Sequence, residues 1–506
     1  PLPTLPPGVF TNITPVPEKG PINILLIDRL NTPLDSQQFL VQQLIAYVKR
    51  MTPGTQLAIF GLNTQLVYLQ GFTSDPKLLL AALESPKNSA RNSVLLDSQL
   101  VDANDFTSAT VQSFRTQMRV QYTLDAMNDL ARYLSAMPGR KNLIWFSGSF
   151  PITILPDGDQ PDPFSVAADM EPQFRATTNM LSRAQVAVYP VDARGLQNAP
   201  ALSARQSSMD LGKNPGAMNK AAIKFSERTG IEQMTMREMA DETGGQAYVN
   251  TNDLATAVQK AIENGASYYT LTYTPSDPKY DGSFRKIQVA LEEHGYDLSY
   301  RRGYYADDVN AKPARRLLSV SNPATSAATA APDDTVHIAM LHGSPQPTQL
   351  LLKAYVGPAS DPGQLTVAPK NVPAPATKGP YRLYNVNYAA SPQGMMFTNL
   401  GDNLYGLNLD FIVFVFDANG VLVNSLGNNV QAKVTPENVR NMVKSGLQFR
   451  QTVSVPDKGD YYLRFAIHDL TSDRIGAIEV PIAAVKDLPV PPPPKPPPPT
   501  LSDLPK

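Results

Sequence analysis

Between Pro21 and Gly265, short apolar runs alternate with segments whose apolar residues recur at helical spacing, and this alternation constrains the fold more than any other feature. Ile22 to Ile27 is an apolar run that ends at Asp28, as expected of a strand covered on both faces. Asp35 to Met51 has apolar residues at helical intervals and stops at Pro53-Gly54. Further strands are expected at Gln56–Phe60, Leu66–Leu69, Asn142–Phe146, Gln185–Val191 and Gln246–Val249. Helices are expected at Leu78–Leu83 (with Asp75 as N-cap and Pro76 at the first helical position), about Thr110 to Ala136, Pro172–Ala184, Met234–Thr243 and Asp253–Asn264. Strands alternating with helices predict a doubly wound, mostly parallel α/β sheet. The short turn between the second and third strands predicts one antiparallel edge.

From Ser267 the period changes to two. Tyr268–Tyr273, Phe284–Leu291 and Leu298–Tyr305 read as three strands. Later, Phe411–Phe416 and Val421–Val423 flank the turn Asp417-Ala418-Asn419-Gly420, and Tyr461 to Ile467 alternates strictly. These predict a C-terminal β-sandwich-like domain. The 47 prolines concentrate in Pro1–Pro21, Pro313–Pro380 and Pro489–Pro499, where they favour extended chain and mark domain edges. The expected order is a Pro-rich linker at residues 1–20, the α/β domain at 21–265, a β-rich extension at 266–308, a linker at 309–332, the β-sandwich-like domain at 333–485, and a Pro-rich tail at 486–506.

The 506-residue chain has a net charge of -1 and no long basic run, which argues against nucleic acid or an anionic membrane surface as the main partner. It has no cysteine, which excludes disulfides, zinc-thiolate sites and cysteine nucleophiles. No apolar run reaches the roughly 20 residues of a membrane span. The start at Pro1 is read as a trimmed or processed N-terminus that a further β-domain could precede.

Ligands of open α/β sheets bind outside the carboxyl ends of the strands. That rule selects the loops after Ile27, Phe60, Phe146 and Val191, two of them long: Ser147 to about Val166, and Ala193 to about Gln233. The candidate ligand-binding rim is Asp28, Asn31, Thr32, Ser147, Ser149, Asp192 and Arg194. The plain alternative is that Asp28 caps its turn or pairs with an arginine, and that Asp192 caps the next turn with Arg194. Asp157, Asp159 and Asp162 lie in one rim loop but lack the glycine and terminal glutamate of a calcium loop.

The element order and the aspartate closing the first strand resemble a von Willebrand factor A domain. LNTP at Leu30–Pro33, LQGFTSDP at Leu69–Pro76, PGRKNLIWFSG at Pro138–Gly148, YPVDARGL at Tyr189–Leu196, YDGSFRKIQV at Tyr280–Val289 and RRGYYA at Arg301–Ala306 resemble the von Willebrand factor A-related proteins of Acidobacteria. The resemblance covers Pro21 to Asp308 and extends to about Val485. It implies an exported protein, located outside the cell, in the periplasm or at the envelope. It also implies a metal-ion-dependent adhesion site with an Asp-x-Ser-x-Ser motif, a threonine from a second loop and an aspartate after the fourth strand. Here the motif reads Asp28-Arg29-Leu30-Asn31-Thr32: Asp28 matches, Leu30 cannot coordinate, and Thr32 replaces the second serine. The fourth-strand loop reads Ser147-Gly148-Ser149, with no aspartate, and Thr123 falls inside a predicted helix. A degenerate site is expected, with Asp28, Thr32 and Ser147 as ligands if Mg²⁺ or Ca²⁺ binds.

Catalysis has little to stand on. The four histidines, His294, His337, His342 and His468, form no metal pair, and Ser147 has no partner histidine in its domain. Tyr268, Tyr269, Tyr273, Tyr304 and Tyr305 are either a sticky face or cross-strand packing. Met209, Met218, Met234, Met236 and Met239 line either an adaptable surface or a core. The reading is an exported, non-enzymatic binding or adhesion protein that uses the rim to engage a protein ligand. Two alternatives stand beside it: a structural, self-assembling envelope protein, and metal-dependent binding through a modified adhesion site.

Overall fold

The computed structural model describes residues 5–13, 22–85, 107–148, 150, 153–154, 168–196, 215–266, 268–269, 271, 273–275, 279, 281–292, 294–296, 298–306, 336 and 339–490. Ser149, the aspartates at 157, 159 and 162, His337 and the 309–332 linker lie outside them. The described chain forms two compact units: residues 5–13, 340–342 and 350–490 make one, and the intervening chain with residues 343–349 makes the other.

In chain order the first element is β1 (Val9–Thr11), followed by β2 (Ile22–Asp28), α1 (Leu34–Arg50), β3 (Leu57–Leu62), β4 (Leu66–Thr73) and α2 (Pro76–Glu84). Next come α3 (Thr107–Leu134), β5 (Lys141–Ser147), the short pair β6 (Thr153–Ile154) and β7 (Ala168–Asp169), α4 (Glu171–Arg183), β8 (Val186–Asp192), α5 (Pro215–Thr243) and α6 (Leu254–Ala266). One sheet runs β4-β3-β2-β5-β8, parallel except for the β3/β4 edge. It is a mixed α/β sheet of the mostly parallel kind.

Every residue of β2, β3, β5 and β8 is buried, because helices cover both faces. Side chains alternate across the sheet. Leu26, Phe60 and Trp145 pack on one face with Leu124, Met127 and Leu130 of α3, Phe174 of α4 and Met239 of α5. Leu25, Ile59 and Ile144 pack on the other with Leu40 and Leu44 of α1, Leu79 of α2 and Val258 of α6. Asp75 caps α2 by accepting from Lys77 N at 2.9 Å.

Three expectations are corrected here. The sixth strand is one parallel bridge, Val191 to Tyr248. The chain reaches it through Gly244 at φ +78° and turns away at Asn250 at φ +56°, leaving no length for a ladder. The loop expected up to Gln233 is helical from Pro215. Its Ala, Lys, Glu and Arg residues favour a helix without drawing an apolar stripe, so periodicity did not register it. In the extension, only β9 (Phe284–Lys286) and β10 (Gly303–Tyr305) pair, and the described residues of 268–273 join no ladder.

The other unit has β11 (Leu352–Pro358), β12 (Val372–Pro373), β13 (Tyr381–Ala390), β14 (Thr398–Gly401), β15 (Leu404–Asp417) and β16 (Leu422–Val434). After these come α7 (Pro436–Ser445), β17 (Leu447–Pro456), β18 (Tyr461–Asp469) and β19 (Arg474–Pro481). An antiparallel sheet β1-β11-β13-β17 faces the sheet β12-β16-β15-β18-β19, with β14 on β15. Tyr388 of the first sheet meets Phe411 and Phe465 of the second edge-on, inside one apolar core. The expected N-terminal linker is in part an edge strand: Val9 pairs with Tyr355 and Thr11 with Lys353. Three residues among prolines are too few to display a period, so this strand had no local signal.

Candidate functional site

The strand ends of the α/β sheet bring Asp28, Ser147 and Asp192 to one rim, as parallel pairing requires. Asp28 caps the turn after β2. Its Oδ1 accepts from Asn31 N at 3.0 Å. Its Oδ2 accepts from Asn31 Nδ2 at 2.8 Å, the Ser147 hydroxyl at 2.9 Å and Trp145 Nε1 at 3.2 Å. Burial pushes the Asp28 carboxyl above its ordinary range, and the donors from Asn31, Ser147 and Trp145 oppose that rise.

Asn31 is the hub of the site. Its Nδ2 also donates to the Thr123 hydroxyl at 2.7 Å, and its Oδ1 accepts from Arg119 Nη1 at 3.3 Å. Thr123 donates in turn to Arg119 O at 2.8 Å. Thr123 does lie inside α3, and the helix still carries it to Asn31. Arg119 is 3% exposed. Its ionisation is pushed down to about 10 by burial and by Arg228, while Glu232 and Asp28 hold it up.

The third strand end is closed by charge pairs. Arg194 donates from Nε to Asp192 Oδ1 at 2.9 Å, from Nη2 to Asp192 Oδ2 at 2.9 Å, and from Nη1 to Glu232 Oε2 at 2.6 Å. Arg228 reaches the other Glu232 oxygen at 3.1 Å. Gln233 Nε2 lies 3.4 Å from Asp192 Oδ2 and 2.9 Å from Asn250 Oδ1. Thus α5 lays Glu232 and Gln233 against the end of β8. The loops are also tied by backbone, since Ala193 N donates to Ser147 O at 3.0 Å. A Cβ on Gly148 would lie 2.8 Å from Asn31 O, so only glycine fits where these two loops touch.

Asp28, Asn31, Thr32, Ser147 and Asp192 are each at most 1% exposed. The side chains of Asp28, Asn31, Ser147 and Asp192 hydrogen-bond to neighbouring groups rather than face solvent. A divalent ion does not suit this arrangement. Mg²⁺ and Ca²⁺ need several oxygen ligands, whereas Asp28 is ringed by three N–H donors and a hydroxyl. Among the described rim side chains, the Thr32 hydroxyl is buried and without a hydrogen-bond partner. Among the described residues no group of three His, Asp or Glu could hold a metal. Ser147 donates its hydroxyl to Asp28 Oδ2 at 2.9 Å. Sequence reasoning missed Arg119 and Glu232, which approach the rim from helices distant in the chain.

Elsewhere, Tyr305 lies under the Arg175 guanidinium at 3.5 Å, and Tyr304 pairs with Arg285 across the hairpin. Tyr269 is 97% exposed. The expected shared tyrosine sheet therefore forms only at β9/β10. Met236 and Met239 are core residues and Met234 is exposed.

No protein-family model matches the sequence. No curated protein matches it. Solved structures are similar to about half of it. An aerotolerance-related membrane protein from Bacteroides fragilis, carrying multiple mutations to serines, is 13% identical over 48% of this chain and 100% of that one, with a TM-score of 0.28. The proximal thread matrix protein 1 of the mussel byssus, with a zinc-occupied MIDAS motif, is 10% identical over 49% of this chain and 46% of that one, at 0.25. The vWF domain of the type V pili tip protein Mfa5 from Porphyromonas gingivalis is 11% identical over 50% of this chain and 98% of that one, at 0.24. TM-scores this low leave the fold to rest on strand order and helix placement.

Proposed function

We propose that the chain is an exported, non-enzymatic binding protein whose α/β domain is a closed scaffold for engaging a protein ligand. The supporting observation is the state of the rim. Among the described residues, Asp28, Asn31, Ser147, Asp192 and Arg194 are hydrogen-bonded to one another or to neighbouring side chains, with no histidine beside Ser147 and no group of three His, Asp or Glu able to hold a metal. Recognition then falls to side chains around the closure. Leu196 after β8 and Phe114 on α3 are exposed, and the Arg228 side chain on α5 is 65% exposed. Apolar groups beside arginine are the composition of interface centres. Export is favoured by the resemblance to A-domain-related proteins of the acidobacterial type. No helix among the described residues is long and apolar enough to cross a membrane.

The test is retention of an envelope protein by the immobilised chain, beside a Leu196→Ser/Phe114→Ser variant of unchanged melting temperature. Retention by the wild type and loss in the variant supports the reading. Equal retention, or none, removes it.

A second reading, self-assembly, is favoured by a different observation. Tyr269, Leu271 and Tyr273 are exposed, on a segment with strand-like alternation whose described residues join no ladder. Light scattering at rising concentration tests it. A monomer at every concentration ends it.

A further inference from the structure

We infer that Arg119 is the resident cation of this rim, taking by hydrogen bonding the place a divalent ion would hold, so that the α/β domain is metal-independent. A carboxylate has about four lone-pair positions, and Asp28 has four donors on it, two from Asn31 and one each from Trp145 and Ser147. An ion at Asp28 would have to displace N–H groups whose positive ends already point there.

The positive charge arrives instead from α3. The Arg119 guanidinium holds Asn31 Oδ1, and the same amide holds Asp28 through its Nδ2, so one asparagine separates cation from carboxylate. A second guanidinium nitrogen, Nη2, lies 3.4 Å from the Thr116 hydroxyl. Asn31 occupies the position between the two, in the turn that Asp28 caps, and its two ends match their two charges. Burying an arginine is costly unless a counter-charge lies near. Asp28 on β2 and Glu232 on α5 are the carboxylates that act on it, against the like charge of Arg228. Among the described side chains the Thr32 hydroxyl is the one oxygen here without a partner, too few to hold a hard cation that takes six or more.

The experiment uses the full chain. Mn²⁺ is titrated by calorimetry and by its paramagnetic resonance, and melting is followed with chelator and with millimolar Mg²⁺. The expected result is no saturable Mn²⁺ binding and an unchanged melting temperature. Arg119→Gln should lower the melting temperature, Arg119→Lys should lower it less, and the loss from Arg119→Gln should shrink in an Asp28→Asn background. Saturable Mn²⁺ binding that disappears in Asp28→Ala overturns the inference. So does an Arg119→Gln variant with wild-type melting, or losses that simply add. Should Arg119→Gln fail to fold, the wild-type titration alone decides.

Discussion

Trp145 donates its indole N–H to Asp28 across the junction of β5 and β2, at 3.2 Å, with both residues buried. The strands are neighbours in register, Trp145 opposite Leu26, so the ring reaches diagonally to the last residue of the adjacent strand. Trp145→Phe keeps the edge-on contact with Phe150 but removes the donor. A hydrogen bond to a charged group contributes about 1.5–3 kcal/mol, and a loss of that size is expected in urea unfolding followed by circular dichroism. Trp145 is the only tryptophan, so fluorescence cannot follow this variant.

Lys141 begins β5 with its ammonium buried, donating to Ala184 O at 2.8 Å. Burial pushes it down from 10.5 to about 8. Between these values the unfolded chain carries the extra proton. Stability is therefore fullest above 10.5, falls as pH drops towards 8, and is flat below. Lys141→Met should flatten that alkaline rise. Denaturation midpoints from neutral to strongly alkaline pH test the sign, and a variant with the wild-type slope would refute it.

Glu232 is 1% exposed between Arg194 and Arg228. Removing one partner of a buried pair costs about 3–5 kcal/mol, because the other charge is stranded. Glu232→Ala should approach that range, less whatever Arg228 recovers by turning to solvent. Adding Arg194→Met should restore part of the loss. Thermal melting of the single and double variants measures the coupling.

Two glycines of α5 and its exit should respond oppositely to alanine. A Cβ on Gly245 would lie 1.8 Å from Val188 O, so Gly245→Ala should prevent the α/β domain from folding. Gly230 meets nothing within 4 Å and lies in mid-helix. Gly230→Ala should stabilise by roughly 0.5–1 kcal/mol. Expression in soluble form and melting temperature separate these outcomes.

Deleting residues before Thr14 should destabilise the β-unit, since β1 pairs with β11 and Phe10 packs on its core. Protease sensitivity of the β-unit, compared with the full chain, is the measurement. Equal resistance would show the strand to be dispensable.

Much of the α/β domain could be read from sequence because its signals are local. Apolar runs such as Ile22–Ile27 and the Asp75-Pro76 cap lie within the segments they specify. The rim was half legible. Asp28, Ser147 and Asp192 follow from where strands end, but what they meet does not. Asn31 meets Arg119 and Thr123 across 88 and 92 residues, and no local pattern encodes that distance. The helical start of α5 escaped for a different reason: its sequence carries helix-favouring residues without an apolar stripe.

The union of residues 5–13 with residues 350–490 in one unit sets a timetable. Val9 waits for Tyr355, which leaves the ribosome 346 residues later. At about 5–20 residues per second, that delay is roughly 20–70 s. The α/β sheet can close within that interval, while β1 stays unpaired until β11 emerges, ahead of β12 to β19. Slowing translation after Gly265 should therefore lengthen the exposure of β1 without disturbing the domain already complete.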